Sequence, residues 1–157
     1  MADRGVAAIP VAGDYDGDGR TDPAVYQPST GEWIILQSST DYTTSVTIII
    51  GLSTDIPVPA DYDGDGITDA AVFQPSTGRW IVQQSSHPSG AVVVATLGNK
   101  ADIPVAADYD GDGKADLAVF HSGGWLILHS SANLMSGLSV SWFDDADVPL
   151  PSRPVEP

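Results

Sequence analysis

Three times in this chain the segment DYDGDG recurs, opening at Asp14, Asp61 and Asp108, each 47 residues after the last. Each copy supplies a fourth aspartate two residues further on, giving DYDGDGRTD, DYDGDGITD and DYDGDGKAD. Four carboxylates at alternating positions of a nine-residue loop repel one another unless a multivalent cation sits among them. A feature in fixed phase over three copies also means that the chain is a repeat, so one supersecondary unit must be built three times and stacked.

The spacing names the ligands. In the first loop these are Asp14, Asp16, Asp18 and Asp22, with Arg20 offering its backbone carbonyl at position seven. The second loop repeats this with Asp61, Asp63, Asp65, the carbonyl of Ile67, and Asp69, and the third with Asp108, Asp110, Asp112, the carbonyl of Lys114, and Asp116. Arg20, Ile67 and Lys114 share no side-chain chemistry, which suits a position that contributes only backbone. An all-oxygen set of this kind suits Ca²⁺, which accepts six to eight such ligands in flexible geometry, about three ions per chain. Mg²⁺ demands a stricter octahedron. Zn²⁺ fits the loops less well, since the chain has no cysteine and no histidine lies inside any loop. An EF-hand would close with a glutamate at position twelve between helices, but position twelve here is Val25, Val72 or Val119 in an apolar run.

Twelve of the 21 acidic residues are these loop aspartates, so the net charge of −15 is mostly ligand charge. Three bound Ca²⁺ would leave −9, a balance that disfavours nucleic acid and anionic membrane as partners. No apolar run approaches a membrane span, and MADRGVAAIP lacks the apolar core of a signal peptide. Millimolar extracellular calcium suits such loops, so the expected location is secreted or cell-surface, with any signal removed beforehand or secretion by another route.

Between the loops the pattern is that of strands. The second unit reads IPVPA, loop, AAVFQ, the turn PSTG, RWIVQQSS, a polar turn around HPSG, and AVVVATLG. Short runs rich in Val, Ile and aromatics, punctuated by Gly, Pro and Ser, make a four-stranded antiparallel sheet, and no window sustains a helical period. The first and third units match it, the third with a hairpin turn two residues shorter. The expected fold is all-β in one repeat domain, 1–157, with units at 8–54, 55–101 and 102–146 and the truncated start of a fourth at 147–157, where Arg153 replaces the first metal aspartate.

The loop DxDGDGxxD followed by an apolar strand, in phrases such as DIPVPADYDGDGITDAAVFQPSTGRW and DIPVAADYDGDGKADLAVF, resembles the FG-GAP and VCBS repeats of integrin-α-like β-propellers, and of secreted bacterial proteins especially. The resemblance spans residues 8 to 151 and implies that each unit is a propeller blade whose loop between the first two strands binds calcium. Three blades cannot close a ring of ordinary geometry. Open apolar faces and strand edges are therefore expected at both ends, and self-association, head to tail into a six-bladed ring or a filament, is the expected remedy.

Trp33, Trp80 and Trp125 recur at one strand position and read as packing between blades, with a sugar-stacking platform as the alternative. Trp142 reads as core or a terminal cap. His87, His121 and His129 share no repeat position with one another and read as structural, and the serines of QSS and HSS come without a GxSxG elbow. With no catalytic constellation, the chain reads as a non-enzymatic, calcium-locked scaffold for adhesion or self-assembly. The rival reading is a carbohydrate-binding module.

Overall fold

The computed structural model describes residues 7–141. It is all-β: twelve strands form three separate four-stranded antiparallel sheets, and the only helical segments among the described residues are two short 3₁₀ turns at Ser38–Thr40 and Ser130–Ala132. The first sheet contains β1 (Ile9–Pro10), β2 (Ala24–Gln27), β3 (Glu32–Leu36) and β4 (Ser45–Ile49), hydrogen-bonded in chain order. The second contains β5 (Ile56–Pro57), β6 (Ala70–Gln74), β7 (Arg79–Gln83) and β8 (Val92–Thr96). The third contains β9 (Ile103–Pro104), β10 (Leu117–His121), β11 (Gly124–Leu128) and β12 (Gly137–Ser141). No sheet closes on itself, and each has the up-and-down order of a propeller blade. Trp142 and the segment 147–157 lie outside the described residues.

The first strand of each sheet is two residues long because the aspartate loop interrupts it. Isolated bridges from Gly13 to Asp22, Ala60 to Asp69 and Ala107 to Asp116 then close the neck of each loop. The hairpin between the middle strands differs as the spacing predicted. In the first two sheets a four-residue turn ends at Gly31 and Gly78, with φ of 72° and 71°, whereas the third uses only Ser122 and Gly123, at φ of 44° and 77°. Two successive positive φ values match the right-handed strand twist of a tight hairpin.

Strand alternation assigns each sheet two apolar faces. Tyr26, Trp33 and Ile35 of the first sheet pack against Ala70 and Val72 of the second. Ala71, Phe73, Trp80 and Val82, on the opposite face of the second, pack against Leu117 and Val119 of the third. The core is thus two layers between three sheets. Each layer is keyed by a cross-strand aromatic pair: Tyr26 opposite Trp33 and Phe73 opposite Trp80, both with ring centroids 5.3 Å apart. The indole N–H groups of Trp33 and Trp80 donate to the carbonyls of Ile50 and Leu97, so neither large ring buries an unpaired donor.

The two end faces are unequal. On the first sheet the outward side chains Val25 and Ile34 are half-buried and Leu36 is exposed, so this face is open. On the third sheet the outward Ala118, Phe120 and Ile127 are buried, and Trp125 lies against Phe120 and Tyr109. The expectation of open faces at both ends therefore holds for the first sheet only, among the described residues.

Candidate metal centre

Each aspartate loop is built by its own carboxylates. Asp14 accepts the amides of Gly17 and Gly19 at 2.7 and 2.9 Å, and Asp61 and Asp108 do the same with Gly64 and Gly66 and with Gly111 and Gly113. These bonds wrap the chain around the first carboxylate, and they require the positive φ of Gly17 and Gly19, 78° and 83°. The amides at position seven, of Arg20, Ile67 and Lys114, donate to the position-five carboxylates Asp18, Asp65 and Asp112, each at 2.8 Å.

The fourth aspartate has a different place. Asp22, Asp69 and Asp116 are fully buried, and each accepts two backbone amides, one from the tyrosine of its own loop and one from a serine after the third strand. For Asp22 these are Tyr15 at 2.8 Å and Ser38 at 2.7 Å; for Asp69, Tyr62 and Ser85; for Asp116, Tyr109 and Ser130. It buckles the loop to the end of the third strand. The same tyrosines donate their hydroxyls to Val11, Val58 and Val105, and burial beside the aspartate raises the phenol pKa, for Tyr109 up to about 12.

The serines dismissed as catalytic prove to belong to the site. Ser38 and Ser39 donate their hydroxyls to Asp18 and Asp16, at 3.0 and 2.7 Å. Ser85 and Ser86 serve Asp65 and Asp63, and Ser130 and Ser131 serve Asp112 and Asp110. The signal was present in the sequence, as a Ser-Ser pair at one phase of all three units. It marks a contact between residues about 20 positions apart, which only the hairpin brings together.

The carboxylates converge in each unit. Asp14, Asp16 and Asp18 place one oxygen each within 4.8 Å of one another, as do Asp61, Asp63 and Asp69, and Asp108, Asp110 and Asp112. At that separation two like charges repel by about 1 kcal/mol in water and by about 3–4 kcal/mol at an effective dielectric of 20. Hydrogen bonds offset part of this. At Asp18 burial is the largest single effect, but it is outweighed together by the Arg20 amide and guanidinium and the Ser38 hydroxyl, which hold its pKa below the usual carboxylate range. At Asp63 the Ser86 hydroxyl and the Asp65 amide likewise outweigh burial. At Asp110 the Ser131 hydroxyl leads the lowering. At Asp69 burial wins over the Ser85 and Tyr62 amides and pushes the pKa up to about 6.

Of the residues selected from spacing, Asp22 and Asp65 stand outside the tight triples of their own units, and Asp116 joins a different group, with Asp110 and His129. Arg20 also does more than offer a carbonyl: its guanidinium lies 2.8 Å from Asp18 and donates to the Ser38 carbonyl at 2.7 Å. His129, read as structural, faces the third loop. Trp33 and Trp80 are fully buried between sheets, so neither presents an indole face to a sugar.

The loops recur on sheets of one kind in one phase. Residues 61–119 match the family model of the FG-GAP-like repeat. The matched stretch runs from the first aspartate of the second loop through the third loop to Val119 in β10, so it contains two loops and strands β6 to β9 between them. No curated protein and no solved structure matches the chain. The first unit, upstream of the FG-GAP-like stretch, carries the same loop hydrogen bonds, sheet order and aromatic pair as the matched part.

Proposed function

We propose that this chain is a calcium-binding repeat scaffold in which Ca²⁺ locks the aspartate loop of each sheet. The observation that carries the reading is the convergence of three carboxylates in each of three loops, every one pre-arranged by glycine amides and serine hydroxyls. Asp14, Asp16 and Asp18, with their counterparts, supply hard anionic oxygen, and the carbonyls of Arg20, Ile67 and Lys114 complete the set. The buried fourth aspartates Asp22, Asp69 and Asp116 hold the loop against its sheet and have lone pairs to spare for the ion. Bound Ca²⁺ supplies positive charge where the protein has gathered negative charge, and it stabilises only the folded chain. A ligand at a hundredfold its Kd adds about 2.7 kcal/mol per site, so three filled sites would rival the 5–15 kcal/mol of an ordinary domain.

Such a scaffold works by display and assembly rather than by catalysis. The open face of the first sheet, with Val25, Ile34 and Leu36, occupies the register that the second sheet fills with Val72 and Ile81 against its predecessor. A blade face of the same kind is its natural complement. We infer that a second copy covers it, on the outside of the cell where calcium is millimolar. The deciding experiment is calorimetric titration of the chelated chain with CaCl₂, together with mass measurement in calcium and in chelator. Three equivalents with a calcium-dependent rise in mass are expected. No calcium uptake contradicts the metal reading, and a strict monomer at micromolar concentration contradicts the assembly.

A further inference from the structure

The three loops are not chemically equal, because one residue beside the third has no counterpart in the others. His129 precedes Ser130, the serine whose amide binds Asp116, whereas the residues preceding Ser38 and Ser85 are Gln37 and Gln84. The imidazole Nδ1 of His129 is buried and has no hydrogen-bond partner, although only about three-quarters of the side chain is covered. It points between two carboxylates, 3.4 Å from Asp110 Oδ2 and 3.6 Å from Asp116 Oδ2. These separations exceed ordinary N–H···O hydrogen bonds, which run about 2.7–3.2 Å. They match the edges of a tetrahedron around an ion with bonds of about 2.0–2.1 Å, which are about 3.3–3.5 Å long.

We propose that Asp110, Asp116 and His129 form a second kind of metal site, found in the third unit only, that takes a zinc-class divalent ion. One imidazole and two carboxylates with a fourth position open is a donor set for Zn²⁺ and its borderline neighbours, not for Ca²⁺, which takes oxygen alone. The carboxylates are already oriented. Asp116 accepts Ser130 N at Oδ1 and Tyr109 N at Oδ2, and Asp110 accepts Asp112 N at Oδ1 and the Ser131 hydroxyl at Oδ2. Each oxygen keeps a further lone pair for a metal, and such outer partners are what fix ligand direction in metal sites. Without an ion, Nδ1 lies between two carboxylates with no hydrogen bond; with one, the same atom becomes the ligand that distinguishes this site from the other two. Because Asp110 also belongs to the triple with Asp108 and Asp112, an ion bound here touches the third loop directly.

The test is titration of the full chain with ZnCl₂, in calcium-free buffer and again in calcium, followed by Co²⁺ as a spectroscopic probe. Wild type is expected to take up one equivalent and to give a Co²⁺ visible band from mixed imidazole and carboxylate ligation. H129Q restores the residue of the other two units and so should fold; at least a tenfold loss of zinc affinity and loss of the band are expected. The double variant H87Q/H121Q is expected to keep both. Unchanged zinc affinity in H129Q, or no uptake by wild type in either buffer, overturns the proposal. His129-dependent zinc uptake without calcium binding would instead sink the calcium reading alone.

Discussion

The amide of Thr68, inside the second loop, donates to the carbonyl of Asp14, the first residue of the first loop, at 2.7 Å. Ala115 and Asp61 repeat the bond one unit later, also at 2.7 Å. The loops are therefore linked by backbone across the gap between sheets, and the position-one aspartate serves two units at once. Replacing Asp14 by alanine frees the Gly17 and Gly19 amides and loosens the residue whose carbonyl holds Thr68. Asp14→Ala should lower stability by about 1–3 kcal/mol and speed hydrogen exchange at Thr68. Unchanged protection at Thr68 would show that the first loop does not support the second.

Asp69 holds two buried amides, those of Tyr62 and Ser85, from opposite ends of the second unit. Asp69→Ala leaves both without an acceptor, so a loss of about 2–5 kcal/mol is expected in urea unfolding in chelator. Asp63→Ala, at a more exposed carboxylate, should cost less under the same conditions and should cost its larger share only when calcium is present. Equal losses in chelator would contradict the separate roles given to the two aspartates.

The pH dependence of the metal-free chain follows from the same residue. Burial raises the folded pKa of Asp69 from 3.8 to about 6, against the pull of the Ser85 and Tyr62 amides. The fold thus favours the protonated acid, and that contribution is fully present below about pH 4 and lost as pH rises through about 6. Asp18, Asp63 and Asp110, with lowered values, act in the opposite direction and in a lower window, losing their contribution as pH falls below the ordinary carboxylate range. In chelator, the urea midpoint should fall between pH 4 and pH 7, and Asp69→Asn should flatten that slope. A wild-type midpoint that rises over this interval would be the contrary result.

Trp80 is wholly buried between the second and third sheets, while Trp125, at the same position one unit later, is only half-buried. Trp80→Ala should cost about 3–5 kcal/mol, the range for emptying a large aromatic site. Trp125→Ala should cost distinctly less. Equal costs, measured by thermal unfolding in calcium, would mean that Trp125 is packed as tightly as Trp80, contrary to their difference in burial.

The contrast between these residues separates what was legible in the sequence from what was not. The repeat length, the twelve strands, the shorter third hairpin and the aspartate loops all follow from local signals: alternating apolar residues, Gly and Pro punctuation, and a period of 47. The three-dimensional grouping of Asp14, Asp16 and Asp18 also follows, because nine residues around two glycines have little freedom to do otherwise. The division of labour within the loops does not. Asp22 and Asp14 are the same residue type in one motif, yet Asp22 is buried on amides from Tyr15 and Ser38, and the second of these is supplied by the far end of a hairpin.

The covalent order of this chain determined its units, strands and acidic loops, since each depends on neighbours within a few residues. Packing decided the rest: that Ser38 and Ser39 steady the first loop, that Trp33 and Trp80 lie inside, and that His129 comes within 3.4 Å of Asp110. Those contacts join positions 19 to 23 residues apart or lie between sheets, where side-chain spacing depends on how the hairpin returns and how the layers stack, neither of which a local pattern encodes.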